Sequence, residues 1–123
     1  MVKIATLLIL KKDGESGMRI NLSEKQIAEI QRIVQKELLI KGIVPTEEYL
    51  FIHCFSKTQK ETVYYQLLKE NDQLIIRCYA RVFNNLGLSV IIRSTAKNIF
   101  AYLVNQTGLH NTLYIENGIE FNF

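Results

Sequence analysis

Three arginines and two tyrosines are the residues of this 123-residue chain whose types and spacing could do chemistry. Arg77 and Arg81 lie four apart in QLIIRCYARVF with Tyr79 midway between them; Tyr64 sits in ETVYYQLLK, and Arg93 closes SVIIR. If each stretch is a strand, residues two and four apart share a face. A guanidinium presents planar, paired donors to a phosphate, and a phenol ring offers a flat surface to a base. Such stacking contributes about 1–3 kcal/mol per base on single-stranded nucleic acid. Ser89 is small and shares the alternation of Arg93, which leaves room beside the rings. Lys97 would stand in the first turn of a following helix, where free backbone amides already favour an anion. The expected ligand-binding set is therefore Arg77, Arg81, Arg93, Tyr64, Tyr79, Ser89 and Lys97. The expected ligand bears phosphate, as a nucleotide or single-stranded nucleic acid, and no further cofactor is implied.

The same face has a second reading. Leu68, Ile75, Ile91 and the tyrosines would also suit the interior of a dimer or a docking surface for another protein, with the arginines at its rim, because arginine and tyrosine are enriched at interfaces. An oligomer of identical chains is expected under either reading.

Other candidates carry less chemistry. His53 and Cys54 are adjacent, so on a strand they point to opposite faces and cannot activate one another. Cys54 and Cys78 fall in apolar strand patterns without a CxxC spacing and read as reduced core residues. With His53 and His110 they form no zinc signature. Glu47, Glu48, Glu116 and Glu120 read as scattered surface acids rather than a general acid and base. GxxxxGK[ST] and GxGxxG are both missing, as is the aromatic signature of RNA-recognition sheets. Lys11-Lys12 and the loop from Ser56 to Glu61 read as solvated turns. Binding is thus expected in preference to catalysis, with no catalytic residue and no metal; a phosphate hydrolase using the arginines electrostatically, with His53 as base, is the enzymatic alternative.

Elements that would position the arginines follow from periodicity. Residues 2–11 alternate as a first strand. Leu22-Ser-Glu-Lys-Gln-Ile27 announces a helix over 23–41, with Ser23 and Gln26 as a capping box and Gly42 as the stop. Pro45 falls in the loop that follows. Tyr49–Phe55 is apolar on both faces, as in a central strand. Pairing Lys69 with Leu74 makes the next two strands a hairpin, with Val63, Tyr65, Leu67, Leu74, Ile76, Cys78 and Ala80 on one face. Phe83-Asn84-Asn85 would turn the chain into a strand over 86–93, whose Leu86, Leu88, Val90 and Ile92 join that face. A helix from Ser94 to a stop at Gly108 comes next. A hairpin closed by a three-residue Glu116-Asn117-Gly118 loop would align Leu113, Ile115, Ile119, Phe121 and Phe123.

The order is β-α-β-β-β-β-α-β-β, an α+β fold with a mostly antiparallel sheet and both helices on one face. At 48% hydrophobic, the chain has enough apolar residues for a core of its own, and no linker or repeat divides residues 1–123, so a single domain is expected. A net charge of +3 permits an acidic partner without demanding one. MVKIATLLILKKDG opens like a signal peptide, but KKDGESG stands where a small-residue cleavage site should be. No apolar run is long enough to span a membrane. The expected setting is the cytoplasm, without membrane association.

Overall fold

The computed structural model describes residues 20–82 and 85–123. The expected strand over 2–11 and the turn after it lie outside the described residues, as do Phe83 and Asn84. Helix α1 spans Glu24–Gln35 and starts as its sequence dictates. The Ser23 hydroxyl accepts from the Gln26 amide at 3.1 Å, and the Gln26 side chain accepts from the Ser23 amide at 2.9 Å. This reciprocal pair satisfies two amides that a helix start leaves without partners. Ile30 and Val34 then bury against the sheet.

The helix stops well short of residue 41. Leu38–Pro45 is instead strand β1, antiparallel to β2 at Tyr49–Ser56. Ile40 lies opposite Cys54 and Gly42 opposite His53, so Lys41 is an extra residue in a bulge. The bulge breaks the period-two pattern and hides the strand, while Leu38 happens to continue the helical spacing from Val34. Pro45, expected in a loop, ends β1 at the sheet edge, where the lack of an N–H costs nothing. Lys57 Nζ closes the helix by donating to the Gln35 and Lys36 carbonyls at 3.0 and 3.1 Å.

Strands β3 (Thr62–Glu70) and β4 (Gln73–Ala80) complete an antiparallel meander. Lys69 pairs with Leu74 as expected, and the six residues from Val63 to Cys78 named for the greasy face are each at most 1% exposed. Helix α2 (Leu86–Thr107) then crosses that face, β5 (Asn111–Glu116) enters parallel to β4, and β6 (Ile119–Phe121) folds back on β5. The strands lie in the order β1-β2-β3-β4-β5-β6. Ile30, Val34, Leu88, Ile92 and Phe100 share one core with Ile52, Tyr65 and Ile76, so both helices cover the same front face.

Residues 86–93, expected as a strand, belong to α2. Asn85 caps it, its Oδ1 accepting from the Leu88 amide at 3.0 Å. Leu88, Ile92, Ala96, Ile99 and Leu103 recur every three or four residues and are all buried, whereas Leu86 and Val90, which a strand's alternation would bury with Leu88 and Ile92, are exposed. Burial of the helical stripe overrides the strand propensity of Val90-Ile91-Ile92. Gly108 ends the helix in the left-handed region at φ 75°, as expected. The α+β order holds for the described residues, because the strand gained at β1 replaces the one lost to α2. Among the described residues no helix is long and apolar enough to cross a membrane.

The last turn is also shorter than expected. Glu116 lies opposite Ile119, with Asn117 at φ 51° and Gly118 at φ 83°. Both central residues in the left-handed region make a two-residue type I′ turn. Asn117 fixes it to β4: Oδ1 accepts from the Ala80 amide at 3.0 Å, Nδ2 donates to the Ala80 carbonyl at 2.8 Å, and the backbone N–H donates to the Cys78 carbonyl at 2.8 Å. Asn117→Ala is expected to destabilise by roughly 1–3 kcal/mol through loss of two hydrogen bonds, and Gly118→Ala by roughly 1–2 kcal/mol through the left-handed backbone. Urea denaturation checks both; an Asn117→Ala variant as stable as the parent would contradict the attachment.

Candidate functional site

The back face of the sheet, opposite α1 and α2, carries a ridge of rings. On β2, Phe51, His53 and Phe55 alternate outward, and Tyr64 on β3 lies opposite His53. The His53 and Tyr64 rings stack at 4.8 Å with 22° between their planes; Phe51 and Phe55 approach these two at 5.6 Å each. Next across the sheet is Tyr79, the cross-strand partner of Tyr64, 50% exposed. No ring contact joins Tyr64 to Tyr79 among the described residues. Both instead line an open cavity of about 550 Å³ together with Lys60, Glu61, Thr62, Ala80, Arg81 and Asn117.

Local structure explains this corner. Between β2 and β3 the Ser56 hydroxyl accepts from the Gln59 and Glu61 amides, at 3.1 and 3.2 Å, and folds the turn tightly. Lys60 is driven to φ 61°, a backbone conformation that side chains other than glycine avoid. Lys60 and Arg81 bring two positive charges against the one of Glu61, and neither cation has a carboxylate partner among the described residues. Away from the corner the same face turns apolar, with Tyr49, Leu68 and Ile75 buried in a small cluster beside Phe51, Leu113 and Ile115. Arg77 sits between these regions, opposite Gln66 and Ile115.

The expected set is therefore divided. Tyr64, Tyr79, Arg77 and Arg81 share the back face, three of them at the cavity. Ser89, Arg93 and Lys97 lie on α2, on the other side of the sheet: Ser89 is buried and Lys97 exposed. Because α2 starts at Leu86, Arg93 and Lys97 are in its middle, and the expected helix-start anion site is not formed there. The expected set did not include Lys60, Thr62 or Asn117; Lys60 lies in the Ser56–Glu61 loop that reads as a solvated turn, though one able to touch phosphates. Sequence reasoning also missed the ring stripe of β2, although the alternation of Tyr49, Phe51, His53 and Phe55 in YLFIHCF was its signal.

Arg93 has another task. Its Nε and Nη2 donate to both oxygens of Glu116, at 2.9 and 2.7 Å. Glu116 is 3% exposed, and its Oε1 also accepts from the Tyr114 hydroxyl at 2.9 Å. Hydrogen bonding to this carboxylate raises the Arg93 guanidinium above its ordinary value against the opposing effect of burial. Burial likewise pushes the Tyr114 phenol up, which keeps it a donor. Arg93 is thus held by an internal carboxylate. Among the described residues no group of three or more histidine, cysteine, aspartate or glutamate side chains could hold a metal.

Comparisons with family models, with curated proteins and with solved structures returned no match to this chain. The geometry stands as the guide to function.

Arg93→Met is expected to cost about 2–3 kcal/mol, because a buried carboxylate loses its charged donors. Arg93→Met/Glu116→Leu should recover most of that loss; a double variant as unstable as the sum of its singles would show that the two do not interact. Both cysteines are buried and free. Burial pushes the Cys54 thiol up from 9.0 to about 12 and raises Cys78 as well. Unfolded thiols ionise near their ordinary value while the folded ones keep their protons. Stability should therefore be intact below pH 9 and decline above it toward pH 12. A thiol reagent at pH 8 should label neither cysteine until urea is added; rapid labelling of the folded protein would contradict the burial.

Proposed function

We propose that the protein is a non-enzymatic binding protein that takes a phosphate-bearing ligand, a nucleotide either free or as a unit of a single strand, at the Tyr64/Tyr79 corner of the back face. The observation that carries this reading is the 550 Å³ cavity walled by two tyrosines, where Lys60 and Arg81 have no carboxylate partner among the described residues. Its volume lies within the roughly 300–1,000 Å³ of small-ligand pockets. Tyr79 stands half-exposed and would offer its ring to a base, and the two cations would meet phosphate. Arg77 would extend the charge along the strand toward a neighbouring nucleotide. Arg93 takes no part, being bound to Glu116.

The apolar remainder of the face supports a second reading. Tyr49, Leu68 and Ile75, continued by Phe51, Leu113 and Ile115, form ground on which a second copy or another protein would pack. Light scattering separates the two, since a strict monomer at high concentration contradicts self-association and leaves the ligand site intact.

A fluorescein-labelled oligothymidylate, followed by anisotropy at low salt with unlabelled nucleoside triphosphate as competitor, tests the first reading. Binding should weaken as salt rises, because neutralised phosphates release counterions. Lys60→Ala/Arg81→Ala should lower affinity at least about tenfold, and Tyr79→Ala should remove about 1–3 kcal/mol, whereas Arg77→Ala should matter for the oligonucleotide more than for the competitor. Unchanged affinity in the Lys60→Ala/Arg81→Ala variant, or no binding at low salt, would refute the proposal.

A further inference from the structure

Among the described residues the sheet ends at β6, and α2 reaches past it. The Arg93 guanidinium lies over the Phe121 ring at 4.4 Å, and Lys97 Nζ over the Phe123 ring at 5.1 Å. On the same stretch of α2, Val90, Arg93, Ser94, Lys97 and Asn98 line an open groove of about 380 Å³. Leu86, Val90, Ile119 and Phe123 are four of the six large apolar side chains that stand exposed among the described residues, and all four belong to α2 or to the chain from β6 onward. Scattered exposed apolar residues mean little; Val90, Ile119 and Phe123 near an edge that no other described strand covers are a different matter.

The register shows which backbone groups that edge presents. The Asn117 N–H bonds the Cys78 carbonyl, so the odd-numbered residues of β5 turn their backbone groups to β4. Tyr114 and Glu116 must then face β6, where Glu116 exchanges both bonds with Ile119 across the two-residue turn. Ile119 and Phe121 are thereby engaged. Glu120 turns its N–H and C=O to the open edge, and Asn122 follows by the same alternation. A strand added there, roughly 4.8 Å further out, would aim alternate side chains toward the groove on α2.

We propose that β6 takes up an extended segment of a partner protein as an added strand, one whose groove-facing side chains are apolar except for an acidic residue that meets Lys97. Main-chain bonds to Glu120 and Asn122 supply the pairing, and the groove supplies the selection. The apolar positions meet Val90 and Ile119. The acidic position follows from charge, because Arg93 is matched by Glu116 whereas Lys97 has no carboxylate partner among the described residues. A second copy of this chain fits less well. Pairing β6 with itself about Glu120 sets two glutamates directly opposite, and pairing about Asn122 still brings both Lys97 groups to one seam; like charges so opposed are destabilising.

The test titrates the full chain, labelled with nitrogen-15, with the synthetic peptide acetyl-Thr-Val-Thr-Val-Thr-Asp-Thr-Val-amide. Saturable shifts are expected at the Glu120 and Asn122 amides and along residues 90–98, with slower hydrogen exchange at Glu120. Exchanging the peptide's aspartate for lysine should weaken binding at least about fivefold, and Lys97→Glu should reverse that preference while leaving the rest of the spectrum in place. No saturable shift, shifts confined to the back face, or the same preference in parent and Lys97→Glu would overturn the proposal. So would protection of the Glu120 amide that rises with protein concentration in the absence of peptide, since a second copy would then own the edge.

Discussion

A carboxylate buried under a helix organises the second half of this molecule. Glu116 is 3% exposed and has Arg93 on one side and the Tyr114 hydroxyl on the other. An unmatched charge in that position would cost several kcal/mol, so α2 must cross β5 with Arg93 directed inward. That requirement matters because α2 is apolar around much of its circumference: Leu86 and Val90 are exposed, and Ile91, Tyr102 and Val104 are half-buried. An apolar stripe alone would leave the rotation of such a helix loosely defined. The Tyr65 hydroxyl, donating to the Ile92 carbonyl at 2.7 Å, fixes the same turn of the helix to β3. Two polar attachments thus set what hydrophobic burial leaves open.

The same interaction explains which parts of the structure were legible in the sequence. The β3–β4 hairpin was legible in full, because strict alternation on both sides of Asn71-Asp72 permits one register and a slip would bury Arg77. The start of α1 was equally plain from Ser23 and Gln26. β1 was not, since the bulge at Lys41 disrupts its alternation. The two-residue Asn117-Gly118 turn was not legible, because it mixes polar and apolar residues on both faces and places Glu116 in the interior. It is the true turn because an arginine on α2 waits there, and that pairing spans 23 residues. As long as 86–93 read as a strand, Arg93 had to point to the back face, and the link to Glu116 could not be seen.

The correction at 86–93 changes the membership of the candidate site. Arg93, Ser89 and Lys97 leave the back face, Arg81 remains with Tyr64 and Tyr79, and Lys60 joins them around a cavity. The sheet then has three regions of different character. Its helix side is sealed around one matched ion pair. Its back face has rings and cations without a carboxylate partner among the described residues at one end, and apolar cover at the other. Its β6 edge, the last strand among the described residues, lies beside an apolar, basic groove. Committed and uncommitted charge is the distinction on which the functional reading turns.

Guanidinium-selective NMR of the nitrogen-15 labelled protein, with and without a nucleoside triphosphate, tests that distinction most directly. The account predicts a sharp Arg93 Nε–H signal, slow to exchange and indifferent to salt and ligand, while the Arg81 signal is exchange-broadened when free and sharpens on ligand addition. An Arg93 signal that moves with the ligand while Arg81 stays unaltered would contradict it.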